Sequence, residues 1–306
     1  MLFTDLLNKQ EAIIKPSFDK LINDALTKQR HPGDMLIWVN NGFYDKSVLN
    51  YKMSDGKLLN PHVVGPGYIG HSENAHYNFI HQYRQAYLSK LTYPEYLKEF
   101  ERAPEKRQQI NTLIDFEETT INLEMLVYLK FWEADGIIKK FYELIRILHS
   151  ESYDWYFKIM ESNRDTDTTG NRQDIIRKLI RDRIKGSFPD LFLAIQTAYK
   201  TQIRNAIAHS KYSFQDRNIH IHNFIEEDPH SQLRNITFDE WITIFHITLM
   251  LHNEYISATN FVKKHYAEIA MANNNLFPIL ITEKSGKEYE AMLSYRPEYD
   301  QWNYRQ

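Results

Sequence analysis

The chain has 306 residues, of which 42% are hydrophobic and 25% are charged, and its formal net charge at pH 7 is −3. This composition is typical of a soluble globular protein, and the overall charge excludes a generally basic nucleic-acid-binding surface, so any such site must be a local patch. The absence of cysteine excludes disulfides and thiolate chemistry, and it favours a reducing compartment such as the cytoplasm.

The first 103 residues are predicted to form an N-terminal helical region. Its start lacks a basic stretch followed by an apolar one, so no signal peptide is expected. Residues 4–29 have a helical apolar stripe, in which Pro16 either breaks the helix or starts a second one. From 31 to 70, glycine, proline, asparagine and aspartate interrupt short apolar runs such as 35–39. This texture predicts a loop-rich insertion with two strands.

Residues 104–275 are predicted to form a helical bundle. The strongest helical periodicity lies at 105–133 and 136–150, as expected for the core helices of a bundle. A capping box formed by Thr237 and Glu240 is expected to open a long helix that ends near residue 272. No run is long and apolar enough to cross a membrane.

The tail, residues 276–306, is expected to form a β-hairpin packed on the bundle. The two runs of this hairpin meet at 284–287, and we expect it to pair with a strand at 218–225. The predicted fold class is therefore mainly α, a helical bundle with a loop-rich N-terminal insertion and a small β element near the C-terminus.

A basic helix is predicted at 172–186, after a polar linker at 161–171. Its isoleucines and one leucine share a face, while six basic and two acidic residues leave a local charge of +4. Arg177, Lys178 and Arg181 are accordingly candidates for binding the phosphates of RNA. The alternative is an ordinary solvated helix face.

A second short stretch, 201–212, carries the candidate chemistry. It ends an apolar helix with Arg204, Asn205 and His209, so a permanent cation, an amide and a titratable imidazole lie close together. Such a set can perform acid–base chemistry on a phosphodiester. On one straight helix Arg204 and His209 would diverge by about 140°, so they can share a substrate only if the last turn unwinds or a second copy of the chain faces the first.

The Arg-Asn-x3-His set resembles the motif of the HEPN superfamily, all-helical proteins of which many are metal-independent endoribonucleases. The resemblance covers about half the chain, the motif and its flanking helices, and implies a HEPN-like bundle. It implies RNA cleavage to a 2′,3′-cyclic phosphate and a 5′-hydroxyl without metal or other cofactor. His209 would be the acid or base, Arg204 would hold the phosphate, and Asn205 would orient His209 or bind the phosphate.

The resemblance also implies partners. HEPN ribonucleases commonly place two motifs across a dimer, so we expect a homodimer or a higher even-numbered oligomer, in which the small Ala206 and Ala208 allow close approach. Lys211 is a further expected RNA contact, in addition to the three basic residues at 177, 178 and 181. Because many relatives are toxins or phage-defence effectors, a regulatory partner or antitoxin is expected as well.

Two other functional hypotheses remain open. A catalytically inactive HEPN-like protein, serving as an RNA-sensing or dimerisation module, would have the same sequence. The second is suggested by a further Arg-Asn-x3-His set at 217–222, in which isoleucine and histidine alternate as on a strand. A hydrolase could use His220 and His222 on that face to hold a metal.

Overall fold

A computed structural model describes residues 1–52, 56, 58–65, 67–101, 104–225 and 232–304. Within these residues the fold is mainly α-helical, as predicted. The helices are α1 (Thr4–Lys28), α2 (Asp34–Asn40), α3 (Gly67–Ala86), α4 (Tyr93–Lys98), α5 (Arg107–Trp132), α6 (Asp135–Leu148), α7 (Arg172–Asp174), a π-helix (Ile175–Arg181), α8 (Pro189–Ala198), α9 (Thr201–Ala208) and α10 (Phe238–Ala272), with 3-10 turns at Lys46–Asn50, Pro104–Lys106 and Asp182–Ile184. No helix in the described ranges is long and apolar enough to span a membrane.

The strands of the described residues form small sheets. Two of the sheets have three antiparallel strands, with β6 in the middle of one and β9 in the middle of the other. The strands are β1 (Phe43–Tyr44), β2 (His62–Val63), β3 (Ile159–Met160), β4 (Gly170–Asn171), β5 (Tyr212–Gln215), β6 (Asn218–Ile221), β7 (Asn235–Thr237), β8 (Leu276–Thr282), β9 (Glu288–Arg296) and β10 (Gln301–Tyr304). β1 pairs antiparallel with β2, and β3 pairs parallel with β4.

Two compact units divide the chain, and each is built from three separate pieces. Unit 1 consists of Met1–Ser17, Asn74–Ala134 and Pro189–Glu254, and unit 2 consists of Phe18–Glu73, Asp135–Phe188 and Tyr255–Gln306. The boundaries predicted after residues 103 and 275 fall inside pieces of these units rather than between them.

Unit 1 has a hydrogen-bonded carboxylate in its core. Glu124 on α5 is fully buried, and it accepts hydrogen bonds from the Tyr83 hydroxyl at 2.8 Å and from the Trp241 indole N–H at 2.7 Å. A buried carboxylate is tolerated only where such donors replace water. The contact therefore links α3, α5 and α10 with a specificity that apolar packing alone lacks.

Unit 2 is built around α6, which is buried on nearly every side. The Lys139 ammonium lies inside and donates to the Gly42 carbonyl at 2.5 Å, and Lys140 pairs with Glu73 at 3.2 Å. Burial lowers the pKa of Lys139 to about 8, because the charged form loses hydration. Lys139 and Lys140 therefore make polar contacts in the interior of unit 2, although lysine is typical of protein surfaces.

In its described residues the insertion predicted at 31–70 contains the two expected strands, an unexpected helix, a 3-10 turn and the start of α3. β1 and β2 supply the strands, while the apolar run 35–39 forms α2, whose residues from Asp34 to Val39 are all buried. Because a short helix that is buried on every side has no amphipathic stripe, its periodicity gives no helical signal. Positions 53–55, 57 and 66 of the insertion lie outside the described residues.

In the C-terminal third the predicted capping box and tail hairpin are confirmed, whereas one predicted strand pairing is not. Thr237 and Glu240 form the expected capping box, with Glu240 N–H donating to Thr237 Oγ1 at 3.1 Å and Thr237 N–H to Glu240 Oε2 at 2.8 Å. The tail hairpin is β8–β9, but its predicted pairing with the strand at 218–225 is wrong. β5 and β7 already occupy both edges of β6.

Two buried histidines on α10 should make unit 1 sensitive to acid. Burial lowers the pKa of His246 and of His252 to about 4. His246 is held neutral, since Nδ1 donates to Ile242 O at 2.7 Å and Nε2 accepts from Phe3 N–H at 3.0 Å. As the pH falls from about 6.5 to about 4, these histidines bind protons in the unfolded chain but not in the folded chain. The free energy of unfolding therefore decreases as the pH falls.

We expect each histidine to lower the free energy of unfolding by about 3 kcal/mol on going from pH 7 to pH 4. Urea unfolding at a series of pH values measures this slope. His246→Gln should be less stable at pH 7 but should show a shallower acid dependence, by about one proton. An equal slope in both proteins would contradict the assignment.

Candidate active site

The motif helix α9 is shorter than the continuous helix used in the sequence prediction. The helical run that begins with α8 stops at Ala198, and Lys200 is extended before α9 begins. The Tyr128 hydroxyl of α5 donates to the Ala198 carbonyl at 3.0 Å and accepts from the Lys200 N–H at 3.4 Å. The backbone groups exposed by the break are thereby satisfied.

The C-terminal end of α9 is closed by a Schellman motif without glycine. Ser210 adopts φ +52°, its N–H donates to Ile207 O at 3.2 Å, and the Lys211 N–H donates to Ala206 O at 2.8 Å. His209 is the C-cap, and its N–H donates to Asn205 O at 3.1 Å. The last turn is therefore wound up to its cap, which does not favour a site formed by unwinding.

Arg204 is held by two neighbours on unit 1. Its Nε donates to Glu133 Oε1, and its Nη1 donates to Asn205 Oδ1 at 2.7 Å. The hydrogen bond and the charge of Glu133 raise the pKa of Arg204 further above its ordinary value. The guanidinium is thus permanently charged and fixed in orientation, and 24% of the Arg204 side chain is exposed.

Glu133 is the residue that the sequence prediction missed. It directly follows the last residue of α5, Trp132, and its N–H donates to Leu129 O as the helix C-cap. Carboxylates are common at every surface position, so the sequence alone held no signal for this contact. Only the packing of α5 against α9 brings Glu133 to Arg204.

His209 and Asn205 do not interact as their i, i+4 spacing suggested. The Asn205 amide oxygen binds Arg204, whereas the His209 side chain is exposed and makes no hydrogen bond or ion pair with any described residue. The expected orientation of the imidazole by Asn205 is therefore absent from this structure. The exposed ring is open to a ligand on the surface of unit 1.

Of the two small residues proposed for close helix approach, only one is accessible. Ala206 is fully buried, so its expected contact with a second chain is wrong. Ala208 is exposed, as is the predicted RNA contact Lys211. The surface at the end of α9 therefore offers Ala208, His209 and Lys211 to a partner or ligand.

The basic helix predicted at 172–186 differs from expectation in both geometry and charge. It consists of α7, the π-helix and a 3-10 turn, and the π-helix lies in unit 2, whereas the motif lies in unit 1. Lys178 pairs with Asp174 at 3.0 Å and Arg181 with Asp182 at 2.6 Å, while Arg177 is exposed. Two of the three predicted phosphate ligands are therefore already paired with carboxylates.

The second Arg-Asn-x3-His set has a structural role at its arginine. Asp216 and Arg217, with φ of +51° and +57°, form the two-residue turn between β5 and β6. Arg217 makes a bidentate pair with the buried Glu117 at 2.8 and 2.9 Å, and its guanidinium lies 4.4 Å from the ring centroid of Phe100. This arginine is engaged in the interior of unit 1.

The histidines of that second set lie on β6 and just beyond it. The predicted alternation is confirmed, since Ile219 and Ile221 are buried while His220 is only half-buried. His222 is exposed, and its Nε2 lies 2.8 Å from Ser213 Oγ. Among the described residues no group of three or more potential metal ligands occurs.

No family model, curated protein or solved structure matches the chain. The function of the chain is therefore inferred from the geometry of α9 and its neighbours.

The structural role of Arg217 can be tested by its effect on stability, with Arg177 as the exposed control. Arg217→Ala leaves Glu117 buried without its partner, so we expect a loss of about 3 kcal/mol in the free energy of unfolding. Arg177→Ala, at an exposed position, should change stability by less than about 0.5 kcal/mol. Urea unfolding of both variants measures the difference, and equal stability would show that the Arg217 pair contributes nothing.

Proposed function

We propose that this protein is a metal-independent endoribonuclease of HEPN type, which cleaves RNA to 2′,3′-cyclic phosphate and 5′-hydroxyl ends. The observation that carries the proposal is the end of α9, where an exposed imidazole follows an arginine–amide pair. His209 is free to meet a ligand, and Arg204 is fixed by Glu133 and Asn205. These are the groups that transesterification at phosphorus requires.

His209 would move the proton. An imidazole can accept a proton from the attacking 2′-hydroxyl or donate one to the leaving 5′-oxygen near neutral pH. Its exposed position supports either role, because no described side chain competes for the ring nitrogens.

Arg204 would bind the phosphate and stabilise the negative charge that grows on it. A guanidinium has five N–H donors, and the contacts with Glu133 and Asn205 use Nε and Nη1. The remaining donors can bind phosphate oxygens while the two existing contacts hold the group in place. In this proposal Glu133 is a positioning residue.

A two-fold homodimer would complete the site. No contact joins the Arg204 and His209 side chains within the chain, and the wound last turn of α9 keeps them at separate positions. A second chain that packs on the surface at Ala208 could bring its own His209 toward Arg204.

The proposed RNA contacts remain those of the sequence prediction: Arg177, Lys178, Arg181 and Lys211.

Such a ribonuclease would act in the cytoplasm as a toxin or phage-defence effector. Unrestrained cleavage of cellular RNA harms the cell that makes the enzyme, so the proposal includes a regulatory partner or antitoxin. This step follows from the resemblance of the motif alone.

A second candidate function is supported by the Glu133–Arg204 pair. A carboxylate that already occupies the guanidinium opposes phosphate binding, as expected of a catalytically inactive HEPN-like module for RNA sensing or dimerisation. Activity measurements separate the two candidates.

We expect cleavage of mixed RNA in the presence of EDTA, with cyclic phosphate ends detected by end analysis. His209→Ala and Arg204→Ala should each lower the rate by at least about 100-fold, because they remove the proton-transfer group and the phosphate ligand. His222→Ala is the matched control, an exposed histidine of the second set, and should retain most activity. Cleavage at wild-type rates by both folded site variants would remove the assignment.

The dimer can be tested by mixing two inactive variants. If each site takes Arg204 from one chain and His209 from the other, an Arg204→Ala and His209→Ala mixture should recover roughly a quarter of wild-type activity after subunit exchange, from heterodimers with one intact site. Sedimentation of the wild-type protein should show an even-numbered assembly. A monomer with full activity would rule out the composite site.

A further inference from the structure

The connection from β6 to β7 carries a cation stacked on an aromatic ring. Arg234 lies just before β7 and Phe224 lies after β6, and the guanidinium carbon is 4.3 Å from the centroid of the phenyl ring. Arg234 is exposed, and Phe224 is half-buried. No carboxylate of the described residues pairs with Arg234, so its charge is available to a ligand.

Both arms of this connection are attached to the motif helix. Gln202 on α9 donates from Nε2 to Leu233 O at 2.8 Å and accepts the Leu233 N–H on Oε1 at 2.8 Å. The Asn223 amide donates to Gln202 O at 2.9 Å. Leu233 and Asn223 are the direct neighbours of Arg234 and Phe224. Around α9, Gln202 lies about 160° from Arg204 but within about 20° of His209, which follows about 10 Å further along the helix axis.

We propose that Phe224 and Arg234 form a stacking platform for an unpaired nucleobase of the RNA held at the motif. The proposal rests on the ribonuclease function proposed above and deepens it, since it restricts the substrate to single-stranded RNA. Guanidinium planes and aromatic rings bind unstacked bases through their faces, irrespective of sequence, and a paired base offers no such face.

The proposed platform has a distinctive signature in the salt dependence of RNA binding. The sequence between the two arms is acidic at positions 226–228, so net charge does not draw RNA to this segment. Binding there must come from stacking and from a single cation, and its loss should leave the salt dependence of affinity almost unchanged.

The test measures RNA binding in a His209→Ala background, in which the substrate is not cleaved. Fluorescence anisotropy with a mixed-sequence single-stranded oligonucleotide should show that Phe224→Leu and Arg234→Gln each weaken affinity about 10-fold. Phe224→Tyr keeps the ring and should bind within about 2-fold of the parent. The salt slope should fall by less than about one for Arg234→Gln and stay constant for Phe224→Leu.

Two controls make the result specific. Arg107→Gln, at an exposed arginine of unit 1, should leave affinity unchanged, and the duplex form of the oligonucleotide should bind all variants equally. Thermal unfolding verifies that each variant is folded. Affinity of Phe224→Leu and Arg234→Gln equal to that of the parent, an equal loss for duplex RNA, or absence of RNA binding by the parent would overturn the platform.

The outcome is separable from that of the proposed function. If the protein with His209 intact cleaves RNA while the platform variants bind normally, the platform is wrong and the ribonuclease stands. If the parent binds single-stranded RNA through Phe224 and Arg234 but the intact protein cleaves nothing, the platform is supported and the ribonuclease is wrong.

Discussion

The candidate site depends on one hydroxyl group, that of Tyr128. It hydrogen-bonds to the chain on both sides of the break between α8 and α9, so it anchors the segment from which the motif helix begins. Beyond this break Arg204 meets Glu133 at the end of α5. Tyr128 is itself fully buried, so the core of unit 1 determines the position of the site.

The ion pair between Arg204 and Glu133 determines how much positive charge Arg204 presents to a ligand. An arginine alone would present a full positive charge to a phosphate, whereas the pair is close to neutral as a whole. Such a pair binds an anion less tightly but holds the guanidinium plane in one orientation, and catalysis depends more on orientation at the transition state than on ground-state attraction. Glu133 therefore influences the proposed phosphate site as much as the motif residues do.

The two Arg-Asn-x3-His sets show that a motif has meaning only in its local structure. In the first set, the helix leaves His209 exposed at a C-cap and Arg204 partly exposed. In the second, a tight hairpin turn places Arg217 at positive φ and directs its guanidinium to the buried Glu117. The same residue types at the same spacing therefore yield a candidate site in one case and a structural ion pair in the other.

The sequence by itself determined the mainly helical fold, the long helices α5, α6 and α10, the capping box of α10 and the strand character of β6. Each of these depends on interactions between residues close in sequence, which periodicity and capping chemistry report directly. The buried α2 and the pairing partners of β6 were decided by tertiary structure. Their stability comes from burial and from edges supplied by distant segments, for which local patterns carry no signal.

The same division applies to the candidate site. Arg204, Asn205 and His209 could be found from their spacing, because a motif on one helix is a local pattern. Glu133 and the Tyr128 hydrogen bonds could not. The contacts of Tyr128 with Ala198 and of Glu133 with Arg204 join residues about 70 positions apart, and only the packing of the folded chain selects which of many similar carboxylates and hydroxyls lie at the motif.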